Sequence, residues 1–219
     1  MGQAITASAL RFQDRPSAAP DFAALLGARA WNELPPAVRR RFAMAAHHKV
    51  RDYRGAMQVR ASLTGRLAAQ VCRLIGTPLA PFTGENLPVT VTVRPLSGGA
   101  LAWDRLYALP GRRPVLVTSR KVMDRALGLM EVVHGGVGMT LDLSVEDGAL
   151  HFRSRRYFWD LAGLRLRLPL LLTPGEAHVV HADVGGGRFE FTLSFTHPWF
   201  GLLFFQTGRF SDPQEEAVR

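Results

Sequence analysis

The residues best placed to do chemistry are a few polar side chains that fall in phase with apolar ones. After position 88 the chain alternates apolar and polar residues, the period of a strand with one buried face. Val89, Val91 and Val93 alternate with Thr90, Thr92 and Arg94, and Ser97-Gly98-Gly99 then turns the chain. That turn sets Val93 opposite Trp103, Val91 opposite Arg105 and Val89 opposite Tyr107. Glu131 shares its phase with Leu127, Leu129 and Val133. Buried polar groups are costly unless paired, so an arginine, a carboxylate and a histidine on one apolar face are expected to pair internally or to meet a ligand. The same set is suited to binding an acidic head group or to general acid–base chemistry.

Two hairpins supply the rest of the set. Asp147-Gly148 between alternating runs is a strong two-residue turn signal. It pairs Glu146 with Ala149 and then predicts Val145–Leu150, Leu143–Phe152, Leu141–Ser154, Met139–Arg156 and Val137–Phe158 on one face. Arg156 is thereby an inward candidate, with an internal Glu131–Arg156 salt bridge as the structural alternative. Gly185-Gly186, read as a second turn, sets His178 opposite Leu193 and predicts ion pairs Asp183–Arg188 and His181–Glu190 on the reverse face. A loop over 198–201 sets Phe195 against Phe204 and Leu193 against Gln206. His178, Leu193 and Gln206 then form a row across three strands. The candidate ligand-binding residues are Arg156, His178, Gln206, Glu131, Arg105 and Trp103. Trp199 and Phe200, at the tip of the last hairpin, are candidates to rim an entrance or touch a surface.

Other motifs weaken on inspection. His134-Gly135-Gly136-Val137-Gly138 has the look of an esterase oxyanion loop, but no G-x-S-x-G elbow accompanies it. His178 and His181 are three apart on a strand and point to opposite faces, and His47-His48 diverge, so no metal site is expected. No phosphate-binding glycine loop with lysine occurs, and no cofactor is expected.

The elements that position these residues fall into two parts. Residues 1–18 are small and polar and read as a lead-in, and 213–219 as a tail. One domain is expected over 19–212, mainly helical over 19–80 and antiparallel β over 87–210. Phe22, Leu25, Leu26 and Ala30 share a helical face begun by Asp21, and Pro35-Pro36 ends that helix and opens another carrying Val38 and Phe42. Residues 47–61 are ambiguous, with Tyr53–Val59 a possible short strand. Ser62 caps a further amphipathic helix carrying Leu63, Leu67, Val71, Leu74 and Ile75. The fold class is α+β, mainly β: helices, then a meander of nine or ten antiparallel strands. A sheet that long tends to curl or close. A barrel or half-barrel is expected, with the helices plugging its mouth or lying on its open side, and a two-sheet sandwich is the alternative.

Composition bounds the function. The chain has 219 residues, 47% of them hydrophobic and 13 of them Phe, enough for a large core. No apolar run approaches the roughly 18 residues of a membrane-spanning helix, and the first twenty residues lack a signal-peptide core. The single cysteine, Cys72, fits a reducing compartment, so a cytoplasmic location is expected. The opening Met1-Gly2-Gln3-Ala4-Ile5-Thr6 matches a short myristoylation pattern that recurs by chance. Net charge is +9, carried almost wholly by arginine, since Lys49 and Lys121 are the lysines. Apart from Arg39-Arg40-Arg41 the arginines are scattered, which reads as a solvated surface and not as a nucleic-acid module.

Several segments carry a family resemblance: Leu25-Leu26-Gly27 with Trp31 and Leu34-Pro35-Pro36; Leu87-Pro88-Val89-Thr90-Val91; Trp103-Asp104-Arg105; Gly186-Gly187-Arg188-Phe189; and Gly201-Leu202-Leu203. From about residue 20 to 210 the chain resembles the bacterial domain of unknown function 4166, sometimes fused behind a saccharopine-dehydrogenase-like domain. The resemblance implies no activity and no catalytic residue, but makes an oxidoreductase partner conceivable. The function expected is the binding of a small hydrophobic molecule with a polar or anionic end. The alternatives are a cyclase- or isomerase-like enzyme in the same cavity, with His178 or Glu131 as base, and a protein-interaction module. Neither nucleic acid nor a membrane is an expected partner.

Overall fold

The computed structural model describes residues 19–44, 48–66, 82–133, 135–161 and 164–213. The lead-in, the tail beyond Pro213, His47, His134, Cys72 and the helix expected beyond Arg66 lie outside them. Ser62 does cap: its Oγ accepts from the Gly65 N–H at 3.0 Å.

Among the described residues, eleven strands follow two helices, α1 (Phe22–Glu33) and α2 (Pro36–Phe42). They are β1 (Arg51–Ala61), β2 (Gly84–Pro95), β3 (Leu101–Tyr107), β4 (Val115–Asp124), β5 (Gly128–Val133), β6 (Val137–Glu146), β7 (Ala149–Leu161), β8 (Leu164–Arg167), β9 (Glu176–Gly185), β10 (Arg188–His197) and β11 (Gly201–Ser211). Neighbours in sequence pair antiparallel from β1 to β7, and Leu150–Arg153 of β7 then pair with β9. β9, β10 and β11 continue the meander, and β11 pairs with β1. Ten strands thus close into a barrel, with the short β8 added on Phe158–Leu161 of β7.

The closing strand is the stretch whose sequence is ambiguous. Tyr53, Met57 and Val59 point inward and are buried, while Arg54 and Arg60 are exposed, so the period is two, as in a strand. Its seam is tight. A Cβ on Gly55 would sit 2.1 Å from the Arg209 carbonyl oxygen, and one on Gly208 would sit 2.6 Å from that of Ala56. Glycine at both positions lets β1 and β11 approach and shut the cylinder.

The barrel has two unlike ends. The β2–β3, β4–β5, β6–β7 and β9–β10 turns gather at one, which the helices plug. Asp21 caps α1, its carboxylate accepting from the Ala24 N–H at 3.0 Å, and Pro36 opens α2 in the first-turn position where a missing N–H costs nothing. Phe22, Leu34, Val38 and Phe42 are driven onto Leu101, Leu129, Leu141, Leu150 and Phe152, each such side chain contributing about 2 kcal/mol of transfer free energy. Arg41 bolts the plug down, its guanidinium reaching Asp212 (2.6 and 2.7 Å) and Asp183 (2.9 Å). The other end, the mouth, carries the β3–β4, β5–β6 and β10–β11 turns and the segment from β8 to β9. No described helix is long and apolar enough to cross a membrane.

Two registers hold throughout their inward pairs: Val91 faces Arg105 and Val93 faces Trp103, while Leu193 faces Gln206 and Phe195 faces Phe204. Two others slip part-way. The β6–β7 pairing runs as expected from Glu146–Ala149 to Leu141–Ser154, and then Met139 meets Tyr157 and Gly138 meets Phe158. Arg155 and Arg156 together oppose Thr140, a bulge that turns both arginines out to solvent and Tyr157 in. In the β9–β10 hairpin the turn is Gly186-Gly187: Arg188 meets Gly185, and Phe189 then meets Asp183. Val184 is bulged out and exposed. One residue of slip exchanges the faces of all of β9, so His181, Val179 and Ala177 face in and His178 faces out. The expected Asp183–Arg188 and His181–Glu190 pairs are not the ones made: Asp183 binds Arg41, and Glu190 binds Arg209 at 3.1 Å.

Candidate functional site

The inward side chains of β3, β4 and β5 converge at mid-barrel. Trp103, Arg105 and Tyr107 alternate along β3. Lys121 on β4 lies directly opposite Glu131 on β5, and its Nζ donates to Glu131 Oε2 at 3.0 Å. The same ammonium stands 4.1 Å from the centre of the Trp103 ring, a cation–π contact in a dry setting. Arg105 Nη1 donates to Ser119 Oγ at 3.3 Å, and its guanidinium sits 5.8 Å from the Phe191 ring centre. Across the barrel, the Tyr107 hydroxyl donates to Gln206 Oε1 at 3.2 Å.

Trp103, Arg105, Tyr107, Lys121, Glu131 and Gln206 line a cavity of about 90 Å³, several times the roughly 15 Å³ that one water needs. It extends from Phe42, on the inner face of the plug, to Leu168, Leu172, Thr173 and Pro174 at the mouth. A smaller chamber of about 40 Å³ lies behind Phe42, Trp103, Arg105, His181 and Phe191, which line both.

Its electrostatics are lopsided. Burial pushes the Lys121 ammonium down while Glu131 opposes that. Burial alone would raise Glu131, yet Lys121 and Arg105 hold it below the usual carboxylate range. Two cations thus share one carboxylate. Two ring nitrogens of the cavity lining are also buried without a partner, Trp103 Nε1 and His181 Nε2. His181 is stacked on Phe189 (4.3 Å) and edge-on to Phe42 (4.9 Å). Burial, with the Arg41 charge, drives its pKa down to about 3.

That shift fixes a pH dependence. Between pH 6.5 and about 3 the unfolded chain takes up a proton that the folded imidazole refuses, so falling pH favours unfolding. Lowering the pH from 7 to 5 costs about 2 kcal/mol through this residue alone. Urea unfolding at the two pH values should show His181→Phe losing about that much less than the parent protein.

Of the sequence-predicted residues, Trp103, Arg105, Glu131 and Gln206 meet in this cavity. Arg156 does not; it is exposed at the β7 bulge. His178 does not either; it stands on the outer face, its Nε2 2.9 Å from His151 Nδ1. Trp199 and Phe200 are exposed at the β10–β11 tip, which is steadied by buried His197, stacked under Phe200 and accepting from the Trp199 N–H at 3.2 Å. Lys121 and His181 escape the sequence reading. The first was legible, since it shares its phase with Val117 and Ser119. The second depended on a bulge that has no signature.

Fold and site together define a closed antiparallel barrel, plugged at one end by helices, with a charged group inside its cavity. The family model described as Domain of unknown function (DUF4166) matches residues 34–210, and the chain belongs to that family. Neither curated proteins nor solved structures give a match.

Proposed function

We propose that the barrel binds a small, largely apolar molecule ending in a carboxylate or similar anion, with that end held by Arg105 and Lys121. The observation that carries this reading is the pair of buried cations set against the single carboxylate of Glu131 in an unfilled cavity. An interior built only for stability would match its charges or dispense with them. An incoming anion supplies the missing charge and finds further polar partners in Trp103 Nε1 and His181 Nε2. The remaining walls, among them Phe42, Val137, Met139, Phe152, Phe195 and Leu193, favour a hydrocarbon body.

Decanoate and decan-1-ol, which differ only at the end group, separate head from tail. Decanoate should change the emission of Trp103, identified by its loss in Trp103→Phe. Arg105→Leu should weaken decanoate at least tenfold, the worth of a hydrogen bond to a charged group, and leave decan-1-ol unaffected. Native mass spectrometry of protein from its own host should show a co-purifying acid. No such mass and no emission response to decanoate would overturn the proposal.

A further inference from the structure

Exposed apolar side chains are not spread evenly over the barrel. Among the described residues, every large one except Leu25, Val50, Leu127 and Val184 lies on or beside segments that meet the mouth. The most concentrated are two neighbours. One is the single helical turn Leu170–Leu172, where Leu171 and Leu172 are 61% and 66% exposed; the other is the β10–β11 tip, where Trp199 is 64% exposed. They are adjacent because the strap leading into β9 runs hard against β10: a Cβ on Gly175 would sit 2.3 Å from the Thr196 carbonyl oxygen. Soluble proteins seldom show such a patch without a use for it.

Charge is also informative. At the plugged end acids and bases are interleaved: Asp124, Glu146, Asp183 and Asp212 are each held by an arginine, and Arg40, Arg125 and Arg188 are exposed beside them. At the mouth, Arg112 and Arg113 in the β3–β4 turn and Arg167 beside Leu168 are exposed. None of the three joins a salt bridge among the described residues; of the acids there, Glu85 is held by Arg60 at 3.2 Å and Glu176 is exposed. The mouth is therefore apolar, with a surplus of unpaired arginine. The strap is also wall and rim at once: Leu168, Leu172, Thr173 and Pro174 line the cavity whose outer lip carries Leu170 and Leu171.

We propose that the mouth docks on an anionic lipid bilayer. Leu171, Leu172, Trp199 and Phe200 enter the interfacial layer and the arginines meet the head groups, as in interfacial apolar–basic surfaces generally. The plugged end faces away. Resting on the ligand reading above, docking places the cavity against the phase in which an amphiphilic acid dissolves, and the guest passes along the Leu168–Pro174 strap without crossing water.

Flotation of the full chain with phosphatidylcholine vesicles, with and without phosphatidylglycerol, tests this. The protein should float with the anionic vesicles, less so as salt rises, and Trp199 emission should shift to the blue. Arg112→Ser with Arg113→Ser should weaken binding on the order of twentyfold, at about fivefold for each charge. Trp199→Ser with Phe200→Ser should abolish it, and so should Leu171→Ser with Leu172→Ser, an independent pair on the other element. Arg105→Leu should float like the parent, which separates docking from occupancy. Failure to float while decanoate still binds overturns docking and leaves the ligand reading intact; flotation by a protein that takes up no decanoate overturns guest exchange. Self-association abolished by the Trp199 pair, with no flotation, would assign the face to a second copy of this chain and also overturn the proposal.

Discussion

Arg41→Met should lower the unfolding free energy by about 3 kcal/mol and the melting temperature by about 9 °C, measured by urea and thermal unfolding at neutral pH. The side chain is 4% exposed. It makes a two-pronged contact with Asp212, beyond the last strand, and a third with Asp183 on β9, and it lies 4.7 Å from the centre of the Phe189 ring. One guanidinium therefore joins α2, the β9–β10 hairpin and the chain after β11, elements far apart in sequence. Methionine fills much of the volume but leaves two carboxylates side by side with no cation between them, and the cost of that arrangement is larger than the net worth of the pair. Little of the effect should be screened by salt, because the group is buried. Hydrogen exchange should localise the loss to α2, and an unchanged unfolding midpoint would show that the plug is held by Phe22, Val38 and Phe42 alone.

This residue also shows where reading the sequence stops. Arg39-Arg40-Arg41 looks like a uniform surface run, and Arg40 is indeed exposed. Helical spacing nevertheless sends Arg41 to the face that meets the barrel, and its acceptors come from positions 183 and 212, which no local pattern links to it. Elements whose specification is local were legible. The Asp147-Gly148 turn, with φ of 50° and 72°, fixed the inner half of β6–β7, and the Val89–Val93 alternation fixed β2 against β3. Hence Trp103 and Arg105 face inward as that alternation requires, Gln206 as the 198–201 loop requires, and Glu131 as its phase requires.

The failures share one cause. Arg155-Arg156 and Val184 each add a residue to one strand, and period-two reasoning carries the error onward until the next turn resets it. An unbroken period of two puts Arg156 and His178 inside for that reason, and His181 outside. In the glycine run 185–187, all three residues adopt positive φ, so composition could not say which two make the turn. Barrel closure was equally non-local: β1 needs β11, some 150 residues away, before Gly55 and Gly208 make sense as a seam.

Glu131→Gln is the sharper test of the cavity, because its stability effect and its binding effect should have opposite signs. Lys121 would then face Arg105 with no carboxylate between them, and breaking a buried pair in this way costs roughly 3–5 kcal/mol. Part of that cost is avoidable. Burial already pushes the Lys121 ammonium down and Glu131 holds it up, so removing Glu131 lets the amine shed its proton. The unfolded chain keeps that proton up to the ordinary lysine range, so stability of the variant should rise with pH below that range, more steeply than in the parent. Urea unfolding at pH 7 and pH 9 should show this, and adding Lys121→Met should restore most of the loss by removing the stranded charge. Decanoate should bind Glu131→Gln more tightly at neutral pH than it binds the parent, since its carboxylate can take the vacated place beside Lys121 and Arg105, and its presence should raise the variant's stability more than the parent's. A variant that is destabilised as described but gains nothing from decanoate would make Lys121–Glu131 a structural pair, and the anion would have to be held, if anywhere, by Arg105 alone.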